Sequence, residues 1–435
     1  MKPRVCEEFV WNWSGSENDL SSRPKAEQPL ISSPSDRLLA GRSSTEAALL
    51  QAMFEGPFIC HFILGPSFAD TERRKLYAAL SRFPDALLSG FLACSGRFLS
   101  LMASGIGDGM DGPNTSTGIS NHDAEADYAH SAKAVKGLRE IAICKTRSLR
   151  DTDPVIAMVL GLGAVTFNLL DSGSYAHSVC RYTIGLLRIP PDEAPELENG
   201  LVPLVFMDTC NCLIRRQVPV YRLRPRHHRG MDRYIGFCTS LLPHLYDLCG
   251  ISHLIKNDHN TISSAADTKL SMIKTAIQDW TPDEIGGVTR FTLKEVQVLT
   301  AQALIYQAAA LLLVHRLRFL FGTDDDIADT MAASILDDIS GLYHIAGQDN
   351  RANSSPRFFE YRMGLPFLVA AAELQEQRQR DNALEMLDQV IWKKMYPRVG
   401  EQLRRLILHI WEARDCGWRG NWVDLTLDGP PFVLF

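Results

Sequence analysis

The chain has 435 residues, of which 46% are hydrophobic and 22% are charged, so its composition is that of a globular protein and excludes disorder throughout. A formal net charge of −6 argues against a chain that binds nucleic acid by itself, because neutralising phosphates requires clustered Lys and Arg. The ten cysteines are scattered, without the spacing of a disulfide framework, and we expect reduced thiols inside a cell.

The chain opens with a segment, residues 1–44, that is rich in Ser, Pro, Arg and Glu and lacks hydrophobic periodicity. Such a segment cannot bury enough apolar surface to fold, which predicts a disordered N-terminal arm. Residues 45–435 are predicted to form one all-α domain, because helical periodicity recurs and no period-2 strand of useful length is present. The tail from Cys416 is predicted to be irregular. Helices in the first half are expected at about residues 70–80, 84–104, 124–145, 154–170 and 175–187.

The stretch 290–322 is the one around which the domain is predicted to be built. Thr292 and Glu295 stand at capping-box spacing, which predicts a helix start. Residues 308–314 are apolar on all sides, as in a buried helix, and fall well short of the roughly 18 apolar residues of a membrane span. We therefore predict a central buried helix at about residues 292–321 of a soluble domain that contacts no membrane. Its core residues are predicted to be Leu299, Leu304, Leu311, Leu312 and Val314.

Gly107, Gly109 and Gly112 match the GxGxxG spacing of dinucleotide-binding loops. Such a site needs a strand before the loop and a helix N-terminus after it. Here the preceding segment is helical, Pro113 follows, and neighbouring aspartates would repel a pyrophosphate. We interpret the match as a loop that binds no cofactor.

An acidic motif follows the central helix and has two interpretations. Its DDxxD spacing is the one by which class I terpene synthases, which are also all-helical, hold magnesium and diphosphate. Their partner motif, of the form NDxxSxxxE, is missing downstream. The same acids would stabilise the start of a helix that follows Gly322 and is capped by Thr323 or Asp324, and we prefer that interpretation. The acids are Asp325, Asp326 and Asp329.

Cys210 and Cys212, with His227 and His228 roughly fifteen residues further on, have the residue types of a zinc site. Zinc ligand pairs normally stand two to four residues apart, and one intervening residue strains a tetrahedral site. We interpret the cysteines as buried on an apolar helix, where a free thiol packs as a small hydrophobe.

Six arginines form a basic cluster after that helix. A cluster of this kind serves as a nuclear-import signal or a phosphate contact, or is a solvated loop. We prefer the solvated loop, because no aromatic stacking pattern accompanies the charges. The arginines are Arg215, Arg216, Arg222, Arg224, Arg226 and Arg229.

The sequence also lacks GxSxG, GxxxxGK and HExxH, and it indicates no catalytic residue, no cofactor-binding residue and no metal ligand.

Four stretches occur in an order that is typical of one family. In the second stretch His177 precedes a helix, and in the last Trp411, Arg414 and Asp415 come before the tail 422–424. The stretches are residues 130–140, residues 153–187, residues 309–323, and residues 364–387 with 403–415 and 420–425. Together they resemble the regulatory domain of fungal-specific transcription factors, the large helical region that usually follows a six-cysteine binuclear zinc cluster. The resemblance covers about residue 50 to the C-terminus and implies a helical fold without catalytic residues.

The family's DNA-reading module contains two CxxC pairs and holds two zinc ions. No CxxC occurs in the 435 residues, and only Cys6 lies among the first 45. The resemblance therefore predicts a transcriptional regulator whose base-reading module lies outside this polypeptide. Either the start of the chain is missing, or the protein is a co-regulator that works with a zinc-cluster transcription factor as its partner.

Members of the family often regulate neighbouring biosynthetic genes. The resemblance thus implies a nuclear protein that controls secondary-metabolite genes, such as those for a polyketide or pigment, and that is not an enzyme. Without a zinc cluster, the purified chain is predicted to bind DNA at most weakly and in a salt-sensitive way, through the arginine cluster. Whether it forms homo- or hetero-oligomers stays open.

Overall fold

The computed structural model of the protein describes residues 41–56, 58–59, 62–64, 66–105, 124–145, 154–187, 195–224, 231–258, 260–282, 291–347, 362–388, 396–429 and 432–434. The chain divides into two units, Met1–Arg42 and Ser43–Phe435, and the fold described below is that of the second. All but the last four residues of the predicted N-terminal arm, 1–44, lie outside the described residues.

The described residues form α-helices and two short 3-10 helices, and their one element of β-structure is an isolated bridge between Asp232 and Gly236. The predicted all-α fold is therefore confirmed. In chain order the α-helices are α1 Ser44–Phe54, α2 Ala69–Arg82, α3 Pro84–Gly105, α4 Ala124–Lys145, α5 Pro154–Asp171, α6 Ala176–Leu187, α7 Pro195–Arg215, α8 Leu242–Asn257, α9 Ser264–Gln278, α10 Leu293–Arg318, α11 Asp325–Gly347, α12 Gly364–Ala371, α13 Gln377–Met386, α14 Pro397–Asp415 and α15 Trp422–Asp428.

The five helices expected in the first half are present as α2 to α6, each within a few residues of its predicted ends. The prediction of an irregular tail is wrong, because α15 lies within it. Asn421 begins this helix, and its side chain accepts a hydrogen bond from the Val423 amide. An Asn at that position is a recognised helix start, which could have identified α15 from the sequence.

The central helix α10 begins as predicted and ends three residues earlier. Thr292 accepts from the Glu295 amide, and the Glu295 carboxylate accepts from the Thr292 amide at 2.8 Å, so the capping box is complete. Its core residues Leu299, Leu312 and Val314 are buried as predicted. Leu311 is only half-buried, and the prediction for Leu304 is wrong because its side chain is 47% exposed.

Neighbouring helices in sequence pack against one another along most of the chain, and α10 packs against α9, α11 and α12. Close approach depends on small residues at the crossings. At the crossing of α5 and α6, a Cβ on Gly161 would lie 2.2 Å from the Thr183 methyl carbon, so only glycine fits without a shift.

Three helices are long and apolar enough to cross a membrane, judged by length and composition alone. They are α3, α5 and α10, and the buried share of their apolar windows is 56%, 44% and 61%. The apolar window of α10 is longer than the strictly apolar run 308–314, because it includes residues of Leu293–Arg318 outside that run.

Candidate functional site

Two of the sequence candidates fall outside the described residues. These are the GxGxxG glycines Gly107, Gly109 and Gly112, and the histidines His227 and His228. The acidic motif, the cysteine pair and four of the six arginines are described, and each has partners that the sequence did not indicate.

The acidic motif begins with an aspartate that two arginines already neutralise. Asp325 Oδ1 lies 2.8 Å from Arg316 Nη2, and Asp325 Oδ2 lies 3.1 Å from Arg414 Nη2. The same carboxylate accepts from the Gly322 amide. Desolvation raises the pKa of Asp325, but Arg316, the amide and Arg414 outweigh it and lower the pKa overall. The helix start is therefore stabilised by Asp325 itself.

Arg316 lies at the centre of a buried ionic cluster. Its side chain is 1% exposed, and its Nε donates to Glu373 Oε2 at 2.8 Å. Glu373 is fully buried and also accepts from Trp422 Nε1 at 3.1 Å. Arg414 Nη1 donates to the Glu373 carbonyl at 2.6 Å. The cluster joins α10, α11, the turn after α12, α14 and α15. Arg414 and Trp422, which belong to the last of the four family-like stretches, thus bond within the fold.

The other two acids of the motif are in different environments. Asp326 is exposed. Asp329 is half-buried, and burial, followed by the nearby Glu376 carboxylate, raises its pKa. A magnesium–diphosphate site needs carboxylates free to face the metal, and Asp325 faces two guanidinium groups instead. The structure thus favours the helix-start interpretation over the terpene synthase interpretation.

The two interpretations are separated by single substitutions in this motif. We expect Asp325→Ala to lower the free energy of unfolding by about 1.5–3 kcal/mol, because two charge-assisted contacts are lost. Asp326→Ala, which removes an exposed acid of the same motif, is expected to change it by no more than about 0.5 kcal/mol. Urea titrations measure both values.

An activity assay tests the terpene synthase interpretation directly. The intact protein should yield no product from prenyl diphosphates and magnesium, and a cyclised product would show that the protein is an enzyme of this class.

A second buried cluster involves the cysteine pair on α7. Cys210 and Cys212 are both buried, as predicted. Cys212 lies beside Asp208, whose Oδ1 is 2.9 Å from His177 Nε2 on α6. Arg181 Nη1 lies 2.9 Å from both Asp208 Oδ1 and Cys212 Sγ. The histidine near Cys212 is therefore His177. The family resemblance placed this residue before a helix, but it lies in the first turn of α6.

The ligand atoms of His177, Asp208 and Cys212 lie within 4.8 Å of one another, close enough to suggest a metal site. The guanidinium of Arg181 already contacts two of the three, and its charge opposes a cation there. Burial raises the pKa of the Cys212 thiol and lowers that of His177, whereas Asp208 titrates lower because His177, an amide and Arg181 overcome its burial. A thiol, a neutral imidazole and an Arg–Asp pair form a satisfied polar cluster between helices.

The basic cluster is not a single exposed surface. Arg216 is completely buried, and its guanidinium bonds to Ser252 and, at 2.7 Å, to Asp424. Arg215 donates to the Phe432 carbonyl at 2.6 Å. The prediction of a solvated loop is therefore wrong for these two residues. Of the other four, Arg222 pairs with Asp247 at the surface, Arg224 is exposed, and Arg226 and Arg229 lie outside the described residues.

A cavity of about 110 Å³ lies among α1, α2, α3, α5 and α7. Its walls are mainly apolar, but one end is formed by Glu72, Tyr234 and Arg362. The walls of the cavity come from segments far apart in the chain, so no local sequence pattern indicates it.

The described residues thus define a large helical domain, held together by buried ionic clusters and containing one polar-ended cavity of note. Residues 62–435 match the fungal specific transcription factor domain. The chain belongs to this family, so it is by class a transcriptional regulator, as the sequence resemblance predicted. No curated protein matches the chain, and no solved structure does.

Proposed function

We propose that the protein is a nuclear transcriptional regulator that reaches its promoters through a zinc-cluster transcription factor and controls secondary-metabolite biosynthetic genes. The observation that carries the proposal is the match of residues 62–435 to the family's regulatory domain, in a sequence of 435 residues with no CxxC pair. The family's members often regulate biosynthetic genes, which supports the metabolic part of the proposal.

The charge distribution supports a partner that reads the bases. The net charge of the chain is −6. Two of the six clustered arginines are occupied inside the fold, because Arg215 and Arg216 bond to Phe432 and Asp424. Fewer phosphate contacts are then available, and affinity for DNA depends on the number of phosphates neutralised.

Promoter occupancy in the cell tests the partner. We expect chromatin immunoprecipitation of the tagged protein to show enrichment at its target promoters that falls at least tenfold when the zinc-cluster partner is deleted. As a control, occupancy of the same promoters by the partner is measured in a strain without this protein, to show that the promoters are intact. Unchanged enrichment in the partner deletion would contradict the proposal.

Binding to DNA in solution tests the same proposal without a cell. We expect the purified chain to bind duplex DNA no tighter than about 10⁻⁶ M at physiological salt, equally for promoter and scrambled sequences, because any contact is electrostatic. Fluorescence anisotropy at several salt concentrations measures this. Tight binding to the promoter sequence alone would show that the helical domain reads DNA itself.

The regulatory role is tested by transcript levels. Deletion of the gene is expected to change the messenger RNA of a contiguous set of biosynthetic genes at least several-fold, and re-expression should restore it. If no transcripts change, the protein is a structural scaffold, and the proposal that it regulates transcription is wrong.

A further inference from the structure

We propose that the cavity among α1, α2, α3, α5 and α7 is a binding site for a small apolar molecule that presents one carboxylate to Arg362. The proposal concerns binding at this site and does not depend on the regulatory role. It rests on three features of the cavity: its apolar walls, the charge at its polar end, and the attachment of that end to the central helix.

The walls fit a ring-sized apolar group. Phe58, Phe62 and Phe91 line the cavity together with aliphatic side chains from α3 and α5. The volume of about 110 Å³ is comparable to that of a cavity, of roughly 150 Å³, known to admit benzene. Apolar space of this kind does not hold water well, because water needs two to four polar partners. The preferred occupant is therefore apolar over most of its surface.

At the polar end, the buried carboxylate is already paired. Glu72 Oε1 accepts from the Tyr234 hydroxyl at 2.7 Å, and Glu72 Oε2 lies 2.5 Å from Arg233 Nε. Burial raises the pKa of Tyr234, and Glu72 adds to the shift, so the hydroxyl stays protonated and keeps donating. The charge of Glu72 is thus balanced by its own partners, and Glu72 is not the group that we expect to bind a ligand.

Arg362 differs from Arg233 because its contacts are with neutral groups. Its Nη2 donates to the Phe62 carbonyl at 3.0 Å, and its guanidinium carbon lies 5.8 Å from the centre of the Tyr234 ring. In the part of the chain that the structure describes, no carboxylate forms an ion pair with it. A positive charge at the wall of an apolar space favours an anion, and the planar guanidinium matches a carboxylate in two-point contact.

The polar end is attached to the central helix α10. The Tyr306 hydroxyl donates to the Arg362 carbonyl. Tyr234 stands in the turn from Asp232 to Gly236, where the Asp232 carboxylate accepts from the Tyr234 amide at 2.7 Å. Gly236 has a φ of +60° and lies against α10, since a Cβ there would be 3.3 Å from Leu299. The groups that would contact the carboxylate are therefore held against the central helix α10.

Two probes of the same ring size test the site: benzoate, which has the carboxylate, and toluene, which lacks it. We expect both to bind the purified protein at one saturable site and to raise its melting temperature, with benzoate at least tenfold tighter. Arg362→Met keeps an apolar stem and removes the charge, so it should weaken benzoate at least tenfold and leave toluene within about twofold. Arg362→Lys should restore part of the benzoate affinity.

A cavity-filling variant and a matched arginine variant complete the experiment. Val159→Phe, which enlarges a lining side chain on α5, is expected to abolish the binding of both probes. Arg405→Met removes an exposed arginine that pairs with Glu401 along α14, and it should change neither affinity. Absence of toluene and benzoate binding in the intact protein would overturn the proposal. Equal affinity for the two probes, or benzoate binding unaffected by Arg362→Met, would overturn the assignment of the carboxylate to Arg362.

Discussion

Arg316→Met is expected to destabilise the domain by about 3–5 kcal/mol, because it leaves the fully buried Glu373 carboxylate without its charged partner. This is a large fraction of the total stability of a typical domain, which is ~5–15 kcal/mol. The loss is measured by urea or guanidinium unfolding at neutral pH. Arg318→Met on the same helix is the matched control, since its pair with Asp267 lies at the surface and contributes about 0–1 kcal/mol.

The pH dependence of this variant identifies Glu373 as the cause. Burial raises the pKa of Glu373, and Arg316 works in the opposite direction, so removing Arg316 raises that pKa further. A carboxyl group whose pKa is higher in the folded state binds its proton more tightly there, so folding gains stability as the pH falls. We therefore expect the destabilisation by Arg316→Met to shrink between pH 7.5 and more acidic conditions.

The double variant Arg316→Met with Glu373→Gln removes both charges and is expected to be more stable than Arg316→Met alone. The amide can still accept from Trp422 Nε1, and no buried charge is left without a partner. If the double variant is as unstable as the single one at every pH, the loss comes from packing around the arginine stem and not from the buried charge.

Leu312→Asp is expected to abolish soluble expression of the domain. Leu312 is 0% exposed on the central helix α10, and the substitution both opens a cavity and buries a carboxylate with no partner. Destabilisations above about 4–5 kcal/mol are exceptional for point substitutions and arise from such sites. The yield of soluble protein and the melting curve of whatever is recovered are the measurements.

Leu304→Asp is the matched control, because it makes the same chemical change on the same helix at a side chain that is 47% exposed. We expect it to alter the free energy of unfolding by no more than about 0.5 kcal/mol. Soluble, cooperatively folding Leu312→Asp protein would mean that α10 is not the centre of the domain. Equal damage from both substitutions would mean that the Leu304 face of α10 is covered.

The buried clusters divide the arginines into groups with separate roles. Arg216, Arg316 and Arg414 bond inside the fold, whereas Arg362 lines a cavity and has only neutral contacts among the described residues. The first group stabilises helix junctions and is expected to affect stability when changed. Substitution of Arg362 is instead expected to change the affinity for a ligand.

The sequence by itself determined the class of fold and the beginning of its main helix. Helical periodicity and the pairing of Thr292 with Glu295 involve residues three or four positions apart, which any helix brings together. The burial of Leu312 followed from the same local pattern. The helix and its start are confirmed because their interactions are complete within one helix, whereas the burial of Leu312 also needed neighbouring helices to cover the predicted face.

Tertiary structure alone decided which polar groups far apart in the sequence are paired and where the cavity lies. Arg316 and Glu373 are 57 residues apart, and Arg216 and Asp424 are 208 residues apart. No local pattern indicates that such charges meet. Within the arginine cluster, Arg215 and Arg216 therefore bond inside the fold, whereas Arg222 forms an ion pair at the surface. Leu304 is exposed for a related reason: periodicity marks an apolar face, but only the packing of neighbouring helices determines how much of that face is covered.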